Sequence, residues 1–449
     1  MPSHDDRATI AAVRAAARPL IGAPADFDAL LALAGDARFV LLGEASHGTH
    51  DFYRVRGEIT KRLIREKGFN AVAVEADWPD AYRVNRYVRG RSPDADADEA
   101  LSGFRRFPQW MWRNADVLDF VGWLREHNQG RNEKRQAGFY GLDLYSLHRS
   151  MDAVLDYLRI VDPDAARRAA ARYACFDHFG RDAQAYGYAA TLDRRNSCEE
   201  AVAIQLRELQ ATAAEYARRD GRVAADDLFF AEQNAKVVAS AEGYYRAMYQ
   251  GGQASWNLRD RHMAATLETL AAFLGTAGQP ARIVVWAHNS HLGDARATEL
   301  GARGELNLGQ LVREQHGRDA LLAGFTTYEG SVSAAPDWDA QVERRLVRPG
   351  LPGSYEALFH GCAVPNFLLD LRTPSPAVTA LMVPRLERAI GVIYRPETER
   401  LSHYFAVRLP HQFDTVLHYD HTRAVEPLER TQVWELGEAG LPETYPSAL

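Results

Sequence analysis

Residues 39–42, Phe-Val-Leu-Leu, form an apolar run that stops at Gly43. A helical pattern follows from Asp51 to Lys67, and a second apolar run, Ala-Val-Ala-Val, occupies residues 71–74. An unbroken apolar run of this length, bounded by a glycine, reads as a strand buried on both faces. In the helix between the runs, Ile59 and Leu63 share a face and Glu58 and Arg62 are spaced to pair at i,i+4. Gly68 suits the left-handed position after the last turn. Strand, helix and strand with short connections make a βαβ unit, which requires a parallel sheet and a right-handed crossover.

The same signal recurs along the chain. Strands are expected at 137–143, ending on Asp143, and at 282–286, shortly before His288. Further strands are expected at 320–325 and 390–394, with 413–418 closing the sheet. Residues 5–33 read as helical pieces interrupted by Pro19 and Pro24. Between 150 and 275 the strand signals stop. Val202, Leu206, Leu209, Ala213 and Tyr216 are spaced 4-3-4-3, and Phe230, Asn234, Val237, Ala241, Tyr244 and Met248 repeat the spacing. These are two long helices with mainly apolar seams that pack within the chain. The fold class is therefore α/β, a mainly parallel sheet with flanking helices and a large helical insertion. Residues 1–149 supply the first part of the core, 150–275 the insertion as a cleft wall or lid, and 276–449 the rest of the core.

Composition narrows the partners. A net charge of −7 gives no electrostatic footprint for nucleic acid or an anionic membrane. No apolar run is long enough to span a bilayer, and the first residues carry acids and arginines where a signal peptide needs an apolar core. Cys175, Cys198 and Cys362 are odd in number and scattered, without a C-x-x-C. That argues against a disulfide framework or zinc ribbon and fits a reducing, cytoplasmic compartment. A small-molecule substrate is the remaining partner class.

The chemistry concentrates at strand ends, where open α/β sheets bind ligands. Glu44 and His47 follow the first strand, Glu75 the second, Asp143 the third and His288 the fourth. Glu44 alone would read as a helix-capping carboxylate. Glu44, His47, Glu75 and His288 converging on one cleft are instead four ionisable groups, costly to bury and suited to moving protons. Three separated stretches also resemble the erythromycin esterase family: Gly-Glu-Ala-Ser-His-Gly-Thr at 43–49, Val-Glu-Ala-Asp at 74–77 and Trp-Ala-His-Asn-Ser-His at 286–291. The resemblance implies that Glu44, His47, Glu75 and His288 occupy active-site positions, with His47 as general base. It also implies an Arg in the helix after the first motif. Arg56 is the preferred match, placed to hold a substrate carbonyl oxygen or to pair with Glu75.

Around these, His50, Asp143, Arg259, Asn289 and His291 are candidates to bind or orient substrate, and Tyr244, Tyr245 and Trp256 are candidates to line the cleft. The family reading implies hydrolysis of an ester, such as the lactone of a macrolide antibiotic. The stretches at 397–408 and 412–420 resemble the broad chromosomal branch of the family rather than the dedicated resistance enzymes. Ser46 sits on a strand-to-helix turn, but Glu44 stands where G-x-S-x-G requires glycine, so Ser46 reads as a turn or cap residue. No cofactor is expected, since phosphate-cradling glycine patterns, H-E-x-x-H and deaminase signatures are absent. A divalent metal held by the two His and two Glu is the rival reading, either in a metal-dependent hydrolase or in a non-catalytic binding protein.

Overall fold

Both apolar runs lie in one sheet, separated by a third strand. The structure, a computed structural model, describes residues 4–220, 222–276 and 278–437. In chain order its strands are β1 (Arg18–Pro19), β2 (Phe39–Leu42), β3 (Ala71–Asp77), β4 (Gly138–Asp143), β5 (Ile283–Trp286), β6 (Ala320–Ala334), β7 (Glu343–Val347), β8 (Asn366–Asp370), β9 (Arg385–Arg388), β10 (Tyr404–Val407) and β11 (Thr415–Thr422). Across the main sheet they are ordered β1-β8-β11-β6-β2-β5-β3-β4, with β7 paired to the far half of β6. The six strands from β11 to β4 are mutually parallel, and β8, β1 and β7 run antiparallel to their neighbours. β9 and β10 form a separate antiparallel ribbon.

Because β5 enters between β2 and β3, the sheet winds outward in both directions from this point. The carboxyl ends of β2, β5 and β3 thus open on a shared crevice. Alternation along the strands divides the core. Val40, Leu42, Val72, Val74, Val284 and Trp286 pack with Phe52, Val55, Ile59 and Leu63 of the helix His50–Lys67. Phe39, Leu41, Ala71, Ala73, Ile283 and Val285 face the other way, onto Met263, Leu267 and Leu270 of the helix Ala254–Leu274. Leu41 is fully buried there, so truncating it to Ala costs about 2–5 kcal/mol. Gly68 ends the first of these helices in the left-handed conformation.

The helices from Leu147–Val161 to Ala254–Leu274 stand between β4 and β5 in sequence and have a core of their own. Val202, Leu209 and Tyr216 are buried in it from the helix Glu199–Asp220, and Ala241 from the helix Arg222–Ala247. Val237 and Phe230 turn instead toward the sheet, where Phe230 stacks on Tyr82 at 4.2 Å. Asn234, the polar member of the seam, is buried and donates to the Phe230 carbonyl at 2.9 Å. Met248 lies beyond the helix end and is exposed. Among the described residues no helix is long and apolar enough to cross a membrane.

Three expectations need correction. Residues 390–394 are not a strand: Ile390 and Tyr394 are buried in a small cluster with Val332, Ala334 and Val347, and the segment makes only isolated bridges. A short apolar run is equally consistent with a loop buried by its neighbours. β11 begins at Thr415 and lies inside the sheet between β6 and β8, so it does not close the sheet. Cys175 and Cys198 form a disulfide that ties the 3-10 turn Ala174–Phe179 to the residue preceding the helix Glu199–Asp220, leaving Cys362 free and buried. That pairing, across 23 residues of sequence, removes the support that cysteine usage gave to a reducing compartment.

Candidate active site

The turn from Gly43 to Thr49 is clamped from several sides. Asn289 N–H donates to the Glu44 carbonyl, Ile390 N–H to that of Ala45, and Val425 and Ser333 N–H to that of Gly48, at 2.8–3.0 Å. Tyr53 Oη donates to the His47 carbonyl at 2.9 Å. Two glycines are required by this packing. A Cβ on Gly43 would meet Asn289 Oδ1 at 2.1 Å, and one on Gly48 would meet the Ser333 carbonyl oxygen at 1.8 Å.

On this fixed turn, His47 Nδ1 lies 2.9 Å from Glu44 Oε1. The other Glu44 oxygen lies 2.5 Å from Arg56 Nη2, two turns into the following helix. Arg56 is fully buried, its guanidinium 4.5 Å from the Tyr53 ring centre and 5.3 Å from that of Trp286. A buried charge in this setting needs its partner. Arg56 therefore anchors Glu44, not Glu75, and does not border the cavity.

Glu75 is the second hub. Its Oε2 accepts the His288 backbone N–H at 2.9 Å, and its Oε1 lies 2.7 Å from Arg259 Nη2, 3.4 Å from His291 Nε2 and 4.0 Å from His47 Nε2. Burial works against its charge, but His291, Arg259 and His47 hold its pKa well below the carboxylate range. Arg259 also grips both oxygens of Asp143, through Nε at 2.9 Å and Nη2 at 2.6 Å, so Asp143 orients the guanidinium.

The histidines separate by environment. His291 Nδ1 donates to Asp260 at 2.9 Å, while its Nε2 lies 3.0 Å from Arg259 Nη1. Nε2 can accept from the guanidinium when the ring is neutral and donate to Glu75 Oε1, 3.4 Å away, when it is charged. Against the cost of burial, Asp260 and Glu75 push its pKa up to about 9. In His288, Nδ1 accepts the Ser290 N–H at 3.2 Å, which leaves the proton of the neutral ring on Nε2. That atom is buried without a hydrogen-bond partner. Burial and the neighbouring His47 hold the His288 pKa well below its usual value, with Glu75 opposing. The His47 and His288 rings are 4.8 Å apart.

These groups line a cavity of about 470 Å³, bordered by His47, Glu75, Asp143, Arg259, His288 and His291. Trp256 lines it and stacks on His291 at 4.4 Å, whereas Tyr244 and Tyr245 face an adjoining chamber. Two expected substrate-binding residues are placed elsewhere. His50 bonds Asp116 at 2.8 Å outside the cavity. Asn289 is fully buried, its side chain bonded to Phe325 and Glu387 as a brace between β6 and β9. Asp260 was not singled out in the sequence, although it follows Arg259 directly and the helix turns it toward His291. Ser46 Oγ is buried against Thr49 Oγ1. Among the described residues no group of three or more His, Cys, Asp or Glu is arranged to hold a metal ion.

A family model described as erythromycin esterase matches residues 64–422. The match contains Glu75, Asp143, Arg259, His288 and His291, and Glu44 and His47 lie ahead of it. Erythromycin esterase type II of Escherichia coli is 23% identical over 407 residues, covering 84% of this chain and 90% of the relative. A crystal structure of a Bacillus cereus protein is similar with a TM-score of 0.77 at 19% identity, over 95% of this chain and 100% of that one. A mutant of the erythromycin esterase EreC in its open conformation gives a TM-score of 0.67 at 17% identity, over 88% and 93% of the two chains. At these identities the structural likenesses speak for the fold alone.

Proposed function

The chain belongs to the erythromycin esterase family, and on that premise we propose that it hydrolyses an ester or lactone by direct attack of water, with His47 as general base. The observation that carries the proposal is the Glu44–His47 contact at 2.9 Å. With Nδ1–H committed to Glu44, the lone pair of a neutral His47 is on Nε2, and the ring borders the cavity. Water held there loses its proton to Nε2 as its oxygen adds to the substrate carbonyl. Glu44 directly, and Glu75 at 4.0 Å, stabilise the imidazolium that forms. Arg56 acts as a positioning residue by fixing Glu44.

The carbonyl oxygen gains charge in this step and needs a preorganised donor. His288, whose ring borders the cavity and is held neutral by burial and by His47, supplies it through its Nε2–H. When the tetrahedral species collapses, the His47 imidazolium returns its proton to the departing alkoxide. Ser46 takes no part, because its hydroxyl is engaged with Thr49 and His47 Nδ1 with Glu44. General-base assistance is worth about 10²–10⁴-fold, and one oxyanion donor about 10²–10³-fold. Macrolide lactones are the first substrates to test, with the insertion helix carrying Trp256 and Arg259 as a cavity wall.

The test is turnover of short-chain esters and of a macrolide lactone by wild-type protein after exhaustive chelation. Turnover that survives chelation is expected. Failure to cleave any ester would end the hydrolytic reading. Activity lost to the chelator and restored by one divalent ion would make His47 a metal ligand instead.

A further inference from the structure

The reactive cavity continues into a second chamber of about 1010 Å³ that the hydrolytic step does not use. The two share Asp77, Asp80, Arg106, Phe107, Tyr145 and Trp338, so a ligand seated at His47 extends into the second chamber through this neck. Resting on the esterase reading, we propose that the second chamber is a hydroxyl-recognising subsite, and that the substrate is an ester whose alcohol portion is a polyol of the sugar class.

Charge balance carries the first part of the argument. Five arginines and five aspartates line the chamber, and four of the arginines are tied to acids in or beside it. Arg106 Nε lies 3.2 Å from Asp77 Oδ2, Arg181 Nη2 lies 2.9 Å from Asp152 Oδ2, Arg149 pairs with Asp80, and Arg83 bonds Asp94. A site for an anion or an ammonium group needs an excess of the opposite sign. A self-neutralised wall of carboxylates and guanidinium groups instead offers acceptors and donors in fixed directions to a neutral ligand that can both donate and accept. Vicinal hydroxyls have that character.

The second part concerns what is left open. Asp77 is more than nine-tenths buried, yet its Oδ1 has no hydrogen-bond partner while Arg106 holds Oδ2. A buried acceptor without a partner costs about 1–3 kcal/mol, and Asp77 borders both chambers. A substrate hydroxyl satisfies it. The neck also carries aromatic rings: Phe107 and Trp338, 4.9 Å apart, and Tyr145, over whose ring the Arg106 and Arg259 guanidinium groups lie at 4.7 and 4.9 Å. Flat apolar rings suit the C–H faces of a sugar ring, and the polar groups around them suit its edge.

The experiment compares methyl 6-O-butyrylglucoside with hexyl butyrate, which share an acyl group and a primary alcohol. Wild-type protein is expected to show at least about tenfold higher kcat/KM for the sugar ester, because a site built around hydroxyls rejects the analogue that lacks them. In Asp77→Ala the ratio of the two kcat/KM values is expected to fall by about tenfold, the factor for one hydrogen bond to a charged group. A hexyl ester cleaved as well as the sugar ester overturns the polyol subsite and leaves the esterase reading standing. Failure to cleave either ester overturns both. Should Asp77→Ala not fold, the wild-type ratio decides.

Discussion

Two clusters of imidazole and carboxylate stand at the carboxyl ends of parallel strands, and they differ in kind. At the carboxyl ends of β2, β3 and β5 lie Glu44, His47, Glu75 and His288, all buried, with His47, Glu75 and His288 at the wall of a cavity and Glu44 bonded to His47. Toward the carboxyl end of β11, His418 and His421 of that strand and His360 of the helix Tyr355–His360 surround Asp420, with His360 Nδ1 2.9 Å from its carboxylate and His421 Nδ1 3.1 Å from Glu329 in the middle of β6. The residue types are the same. In the second cluster, however, the His360 ring stacks on Tyr328 at 3.8 Å, the His360 and His421 side chains are exposed, and no member borders either chamber. A reactive arrangement thus needs more than imidazole beside carboxylate. It needs burial that keeps each charge tied to a fixed partner, and a ring that borders a cavity.

Breaking the first cluster should have the largest effect. His47→Ala is expected to lose about 10²–10⁴ in kcat, and Glu44→Gln a large part of that, since an amide cannot stabilise the imidazolium. Steady-state kinetics on one ester, beside Ser46→Ala with most activity retained, checks the pair. His288→Ala is expected to lose about 10²–10³ in kcat with KM little changed. A loss confined to KM would assign His288 to ground-state binding instead.

The comparison also predicts opposite behaviour for buried histidines with and without acidic partners. His262, on the same helix as Asp260, is driven by burial to a pKa of about 4, and Lys236 adds to the effect while Asp143 opposes it. Its folded pKa lies below the unfolded value of about 6.5, so the unfolded chain binds the extra proton as pH falls. Stability from this group is complete above about 6.5 and is lost toward about 4, amounting to roughly 3 kcal/mol. Urea denaturation at several pH values should show that loss, reduced in His262→Gln. The smallest effect is expected in the second cluster. His360→Ala should change kcat less than twofold and stability by about 0–1 kcal/mol, as for other exposed pairs. A tenfold fall in kcat there would erase the distinction between the clusters.

What the sequence disclosed follows from how local each signal is. β2, β3, β4 and β5, with the helix ending at Gly68, were legible because an apolar run, a helical period and a glycine lie within a few residues of one another. Glu44, His47, Glu75 and His288 were legible as strand-end residues, and the parallel sheet brings those ends together. Partners set by tertiary packing were not legible. Arg56 is matched to Glu44 only because its helix returns across β2, Asp260 reaches His291 from the far end of the insertion, and Asn289 looks inward to Glu387. Apolar content alone misplaced residues 390–394, and β9, with arginines at both ends, carries no strand signal of its own.

The most direct test of the account is rescue of His47→Ala by added imidazole, which the cavity has room to admit. The account predicts that ester hydrolysis by the variant rises with the concentration of neutral imidazole, while Arg56→Ala, which retains the His47 ring, gains nothing. A His47→Ala variant that turns over within threefold of wild type without imidazole would contradict the assignment of His47 as the base that activates water.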